Sequence, residues 1–239
     1  MKINVLFSNI FIDELYFTGK TAVMIDVLRA SSVITTALSN GAREVIPVST
    51  LDFAMKISSD AFKSQTLLCG ERNTKMVEGF NLGNSPLEFK PEIVAGKSII
   101  LYTTNGSKSI VKAKFCENLF IGCFLNLPAL AKHLLNLNLD FEIICAGTNG
   151  LFNLEDAVCA GMLINEIYSQ NKDVQLSDSA LASLTLSKQM GKNLYEFLSG
   201  TEHGKLLIEN GFLDDIIECS KYGITDVIPY FVSGSIKRL

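Results

Sequence analysis

Three short turns in this sequence carry residue types that could bind an anion. They are Asp26-Val27-Leu28-Arg29-Ala30-Ser31-Ser32, Tyr102-Thr103-Thr104-Asn105-Gly106-Ser107 and Cys145-Ala146-Gly147-Thr148-Asn149-Gly150. Each follows an apolar run and leads into a helical pattern. A helix start presents free N–H groups and the positive end of the helix dipole, so oxyanions bind there readily. Hydroxyl and amide side chains add donors, and glycine lets the backbone approach a ligand closely. Ser31, Ser32, Thr104, Asn105, Gly106, Ser107 and Thr148 are therefore candidate binding residues, and Arg29 and Arg72 could meet a phosphate or sulfonate in bidentate fashion. One such turn is an ordinary capped helix start. Three behind three strands point to one shared site, because ligands of open α/β sheets bind beyond the carboxyl ends of the strands.

Carboxylates accompany the same turns. Asp26 lies in an apolar run near a strand end, where an unpaired buried carboxylate is costly, so it must be paired or bound to a metal. Glu71 directly follows the strand predicted at residues 66–69. Glu155 and Asp156 open the helix after Gly150, where a helix dipole alone would favour them. Two or three such carboxylates, with water and a substrate phosphate, also make a Mg²⁺ site.

Several chemistries are excluded. Gly19-Lys20-Thr21 and Gly96-Lys97-Ser98 each lack the leading glycine of a phosphate-binding P-loop and precede a strand. There is no G-x-G-x-x-G, no H-E-x-x-H, no C-x-x-C, and no Cys followed six positions later by Arg. Of the two histidines, His133 is assigned to structure or surface; His203, in Thr201-Glu202-His203-Gly204-Lys205, stays outside the predicted site. Cys145 ends a strand beside the third turn and reads as a buried inert thiol. The other cysteines, Cys69, Cys116, Cys123, Cys159 and Cys219, have the same character.

The elements that must position these residues alternate between apolar runs and helical patterns. Strands are predicted at 21–28, 44–48, 66–69, 98–102, 119–123, 141–145 and 226–232, with a short last strand after Ser233-Gly234. Helices are predicted at 31–40, from 51, at 106–113, after Asn126, and at 154–168, 178–189, 194–198 and 205–208. The long segment from Arg72 to Pro91 keeps Phe80, Leu82, Leu87 and Phe89, so it reads as ordered and functional. One α/β domain spanning residues 1–239 is the simplest organisation, with two lobes as the alternative.

Composition sets the outer bounds. With 48% hydrophobic and 19% charged residues the 239-residue chain is too apolar for disorder. A net charge of −4 without a basic run argues against nucleic acid. No run is long enough for a membrane span, and the N-terminal apolar stretch is too short for a signal peptide, so a cytoplasmic protein is expected.

Taken together, the first turn, Gly70-Glu71-Arg72, Leu82-Gly83-Asn84-Ser85-Pro86, Thr103-Thr104-Asn105-Gly106-Ser107, Cys145-Ala146-Gly147-Thr148 with Glu155-Asp156, and Asp226-Val227-Ile228-Pro229 resemble the 2-phosphosulfolactate phosphatase (ComB) family. Asn73-Thr74 stand where that family often has glycines, and Ser32 and Ser107 where it often has Thr. The resemblance implies a three-layer α/β/α fold with a mixed, largely parallel sheet, and a homodimer. It implies Mg²⁺-dependent hydrolysis of 2-phospho-3-sulfolactate to 3-sulfolactate, a step toward coenzyme M. On that basis Asp26, Glu71 and Asp156, with Glu155, are expected to hold Mg²⁺; Asp26, Glu71, Arg72 and Asp156 to be catalytic; and Asn84 and Ser85 to join the binding set. The alternatives are a phosphatase for another phosphorylated hydroxy acid and a non-catalytic binder of a small anion.

Overall fold

The computed structural model describes residues 1–57 and 65–239. Among them run eleven strands: β1 (Lys2–Leu6), β2 (Thr21–Ile25), β3 (Glu44–Val48), β4 (Thr66–Arg72), β5 (Lys75–Met76), β6 (Ser98–Tyr102), β7 (Asn118–Gly122), β8 (Phe141–Cys145), β9 (Gln175–Leu176), β10 (Pro229–Val232) and β11 (Ser235–Arg238). The helices are α1 (Ala30–Ser39), α2 (Leu51–Ile57), α3 (Pro91–Val94), α4 (Gly106–Lys112), α5 (Leu127–Leu137), α6 (Leu154–Gln170), α7 (Asp178–Met190), α8 (Leu194–Gly200), α9 (Glu202–Glu209) and α10 (Leu213–Cys219).

The strands form one sheet in the order β5-β4-β6-β3-β11-β10-β7-β2-β8-β1-β9. β4, β6 and β3 are mutually parallel, as are β7, β2, β8, β1 and β9. Between these blocks sits the β10–β11 hairpin, antiparallel to β7 on one side and to β3 on the other. Three reversals in succession make the two blocks run in opposite senses.

Alternation along the strands explains the layers. In β2, Val23 and Ile25 enter a core shared with α5, α6 and α7, while Ala22 and Met24 enter another shared with α1 and α4. Successive strand residues face opposite sides, and near-continuous apolar strands are what a sheet covered on both faces requires. The result is the three-layer α/β/α arrangement with a mixed, largely parallel sheet.

The second core also mixes the blocks, uniting Ala22, Met24 and Ile144 with Val45, Ile99 and Leu101. Gly106, after β6, packs so closely on Asp26, after β2, that an added Cβ would strike its carboxylate. In a flat sheet with opposed blocks those strand ends would lie at opposite edges. The sheet is therefore not flat, and the hairpin meets each block through a single register pair, Tyr230 with Phe120 and Ile236 with Val45.

Some boundaries differ from expectation. β2 ends at Ile25, because Asp26 turns its backbone into bonds with Ser31 instead of a strand neighbour. β1 and α10 carry no predicted counterpart. The 72–91 segment is ordered as expected, with Phe80 and Phe89 buried, although Leu87 is exposed.

Candidate active site

The first turn is built around Asp26. Ser31 Oγ accepts from the Asp26 N–H (3.1 Å) and donates to the Asp26 carbonyl (2.7 Å), while Ser32 Oγ donates to the Val27 carbonyl (2.9 Å). Both serines thus shape the loop, which is the local habit of hydroxyl side chains near helix starts. The Asp26 carboxylate accepts from the Ala30 N–H at 3.3 Å.

The second turn closes on itself in the same way. Ser107 N–H donates to Thr103 Oγ1 and Thr103 N–H to Ser107 Oγ, both at 2.9 Å. Glu71, at the end of β4, accepts from the Thr104 N–H (2.7 Å) and from the Thr74 N–H (2.9 Å). The third turn is stitched to the others. Asn149 N–H donates to Asn105 Oδ1 (3.0 Å), Asn153 Nδ2 to Thr148 Oγ1 (2.9 Å), and Asp156 accepts from both Val27 N–H (3.0 Å) and Gly147 N–H (3.2 Å). Asp26, Glu71, Glu155 and Asp156 are all buried there.

Their charges act on one another. Burial first, then Glu71 and Glu155, raise the Asp26 carboxyl to about 6 against the pull of His203 and the Ala30 N–H. Burial, Asp26 and Glu155 push Asp156 up as well. His203, at the start of α9, is the residue that sequence reasoning set aside. Its Nδ1 stands 3.4 Å from Glu155 Oε1, close enough for an ion pair but not aligned as a hydrogen bond. Burial lowers the His203 pKa, and Glu155 and Asp26 more than reverse this, so it ends above the ordinary value. Burial, Asp156 and Glu155 hold the Cys145 thiol well up, which leaves it protonated and inert.

The arginines divide. Arg29 is buried and ion-paired with Asp215 of α10; its Nη2 donates to the Thr74 carbonyl (3.0 Å) and its guanidinium lies 4.2 Å from the Phe212 ring centroid. Ser85 Oγ donates to the other Asp215 oxygen at 2.5 Å. Arg29 therefore brings directed N–H donors to the site while its charge is already matched. Arg72 does not join the cluster: it is exposed at the last position of β4, because strand alternation turns Glu71 inward and Arg72 outward. Asp215 was missed because α10 itself was not predicted and nothing local in the sequence marks its partners.

Among the described residues, seven buried side-chain polar atoms lack a hydrogen-bond partner, and five belong to Thr74, Asn84, Thr104, Glu155 and His203. Buried polar groups are ordinarily paired, and exceptions cluster where a ligand completes them. No group of three or more acidic, histidine or cysteine side chains among the described residues is arranged to hold a metal ion by itself. The donor set nevertheless suits Mg²⁺, which takes one or two protein carboxylates and completes its shell with water and phosphate oxygens. Carboxylates that repel each other in a buried site, beside an arginine already neutralised, would also repel an anionic substrate unless a cation intervened.

The chain is similar to known phosphatases along nearly its whole length. The family model for 2-phosphosulpholactate phosphatase matches residues 11–234. A probable 2-phosphosulfolactate phosphatase of Caldanaerobacter subterraneus subsp. tengcongensis is 42% identical over 218 residues, covering 91% of this chain and 90% of its own length. A protein of the same description from Clostridium beijerinckii is 40% identical over 240 residues, covering 99% of each chain. One from Clostridium novyi is 41% identical over 231 residues, covering 97% of each. Matched by the family model and by these relatives along nearly its whole length, the chain belongs to the 2-phosphosulfolactate phosphatase family of phosphoric monoester hydrolases.

Proposed function

We propose that this enzyme hydrolyses 2-phospho-3-sulfolactate to 3-sulfolactate and phosphate in a Mg²⁺-dependent reaction. The observation that carries the reading is the pair of unpartnered buried hydroxyls, Thr74 Oγ1 and Thr104 Oγ1, whose backbone N–H groups both bond to the buried Glu71 carboxylate. One or two of Asp26, Glu71, Asp156 and Glu155 would hold the cation, with water and substrate oxygens completing its shell. When bound it supplies Lewis-acid polarisation of a phosphoryl oxygen and offsets substrate charge.

The protein's own residues do the rest. Thr104 Oγ1 and Thr74 Oγ1 are hydroxyls without partners, flanking Glu71, and can donate to phosphoryl oxygens. Fixed donors aimed at developing charge need no reorganisation during reaction. Arg29 offers its remaining N–H groups to an anionic group of the substrate. Asp26, raised to about 6 in the metal-free site by burial, would be drawn into its ionised form by the cation it helps to hold. A substrate carrying phosphate, carboxylate and sulfonate matches a site with this many donors.

The finer placement also rests on the family resemblance: a homodimer in the cytoplasm, acting in coenzyme M biosynthesis. None of the described helices is long and apolar enough to cross a membrane.

The test is phosphate release from 2-phospho-3-sulfolactate and from a panel of phosphorylated hydroxy acids, with and without EDTA. Preferred release from the sulfonate, abolished by EDTA and restored by Mg²⁺, is expected. Faster turnover of a panel member lacking the sulfonate would reassign the substrate, and EDTA-resistant turnover would overturn the cation's role. Binding without turnover would make the protein an anion binder.

A further inference from the structure

Asp215 lies 186 positions from Arg29 in the chain, on a helix outside all three strand-end turns, yet its carboxylate is committed to Arg29 of the first turn and to Ser85. One oxygen meets Arg29 and the other accepts from Ser85, and both charged side chains are at most 3% exposed. A buried ion pair gains little stability over an apolar pair of similar shape, because both charges lose their hydration. What such a pair does provide is orientation. Phe212, one turn earlier on the same segment, stacks against the guanidinium, and the Thr74 carbonyl holds Nη2 from the β4–β5 side. The guanidinium plane is thereby fixed from two directions. Of its five N–H donors, the bonds to Asp215 and Thr74 occupy two, which leaves donors in a set direction.

We propose that Asp215 is a positioning residue for the hydrolytic reaction. It locks Arg29 so that the free guanidinium donors address an anionic group of the substrate, and it ties that orientation to the Asn84–Ser85 segment. The inference rests on the phosphatase reading given above and adds to it a residue that touches no reacting atom.

A double-mutant cycle tests it, using Arg29→Lys, which keeps the charge but not the fork, and Asp215→Asn, which keeps the shape and an acceptor for Ser85. Asp215→Asn alone should lower kcat/KM about 30-fold, the usual scale for breaking one partner of a buried charge pair. In the Arg29→Lys background the same change should lower it less than about threefold, since its effect passes through the guanidinium. Full additivity, or a loss explained by a fall in folded fraction on thermal melting, would overturn the proposal. A second readout uses Arg29→Ala: added guanidinium should restore turnover when Asp215 is present and fail to do so in Arg29→Ala/Asp215→Asn. Equal rescue in both would also overturn it. Calorimetry with inorganic phosphate and Mg²⁺ separates the two readings. If the wild type releases no phosphate from any ester, the phosphatase reading falls. The positioning role then stands if Asp215→Asn weakens phosphate binding and falls if it does not.

Discussion

His203 Nδ1 faces Glu155 Oε1 at 3.4 Å, joining the start of α9 to the start of α6 inside the carboxylate cluster. The acidic surroundings favour the protonated imidazole, which is the reverse of what burial alone would do. The other histidine, His133, has only burial acting on it and is lowered.

These two histidines should therefore titrate on opposite sides of the ordinary value of about 6.5 in metal-free protein. Histidine NMR in EDTA should show His203 above it and His133 below it. Glu155→Gln removes the main charge favouring protonation and should move the His203 midpoint down while leaving His133 in place. A His203 midpoint below the ordinary value in the wild type would contradict the arrangement.

The pH dependence of metal-free stability has a definite sign. Asp26 holds its proton to about pH 6 in the folded state, above its unfolded value near 3.8. It does not oppose folding below the unfolded value; as pH rises through about 6, the buried carboxylate ionises and stability falls. His203, also raised, acts in the same direction, since its favourable charged form is lost as pH rises through its folded pKa. Denaturant titrations in EDTA should show stability falling from pH 4 to pH 7. Asp26→Asn should remove on the order of 3 kcal/mol of that fall. A wild-type stability that rises over this interval would refute the assignment.

Gly106 is required by the approach of two strand ends. An added Cβ would strike Asp26 Oδ2 and Ala30 Cβ. Gly106→Ala should lower kcat/KM about 100-fold by displacing the Asp26 carboxylate, with only a modest fall in Tm. Undiminished turnover would show that the carboxylate has no fixed position to lose.

Gly161 tests the scaffold independently of the chemistry. It sits on α6 where that helix passes α7, and a Cβ there would collide with the Ser183 carbonyl. Gly161→Ala should destabilise the protein by about 1–3 kcal/mol, a Tm loss of about 2–12 °C by calorimetry. An unchanged Tm would mean that the two helices pack less closely than described.

The turns that build the site were legible in sequence because their chemistry is local: Ser31, Ser107 and Thr103 bond within four or five residues of themselves. Asp26 was legible for the opposite reason, as a carboxylate with nothing local to explain it. Arg72 stands apart from the cluster, since adjacency to Glu71 in a strand means opposite faces. His203 and Asp215 were hidden by distance along the chain. No periodicity links residue 203 to 155 or 215 to 29, and only tertiary packing brings them together. The same holds for the opposed strand blocks, whose relative direction is set by a hairpin that local patterns could find but not place.

That hairpin has a consequence for how the molecule is made. Every other strand precedes β10 and β11 in the chain, so during synthesis β3 and β7 stand as raw borders, each with unmet backbone groups. Until the suture arrives, a nascent chain offers two sticky rims to its neighbours, and shortening the tail would leave them open for good, turning a loss of ten residues into a route to aggregation.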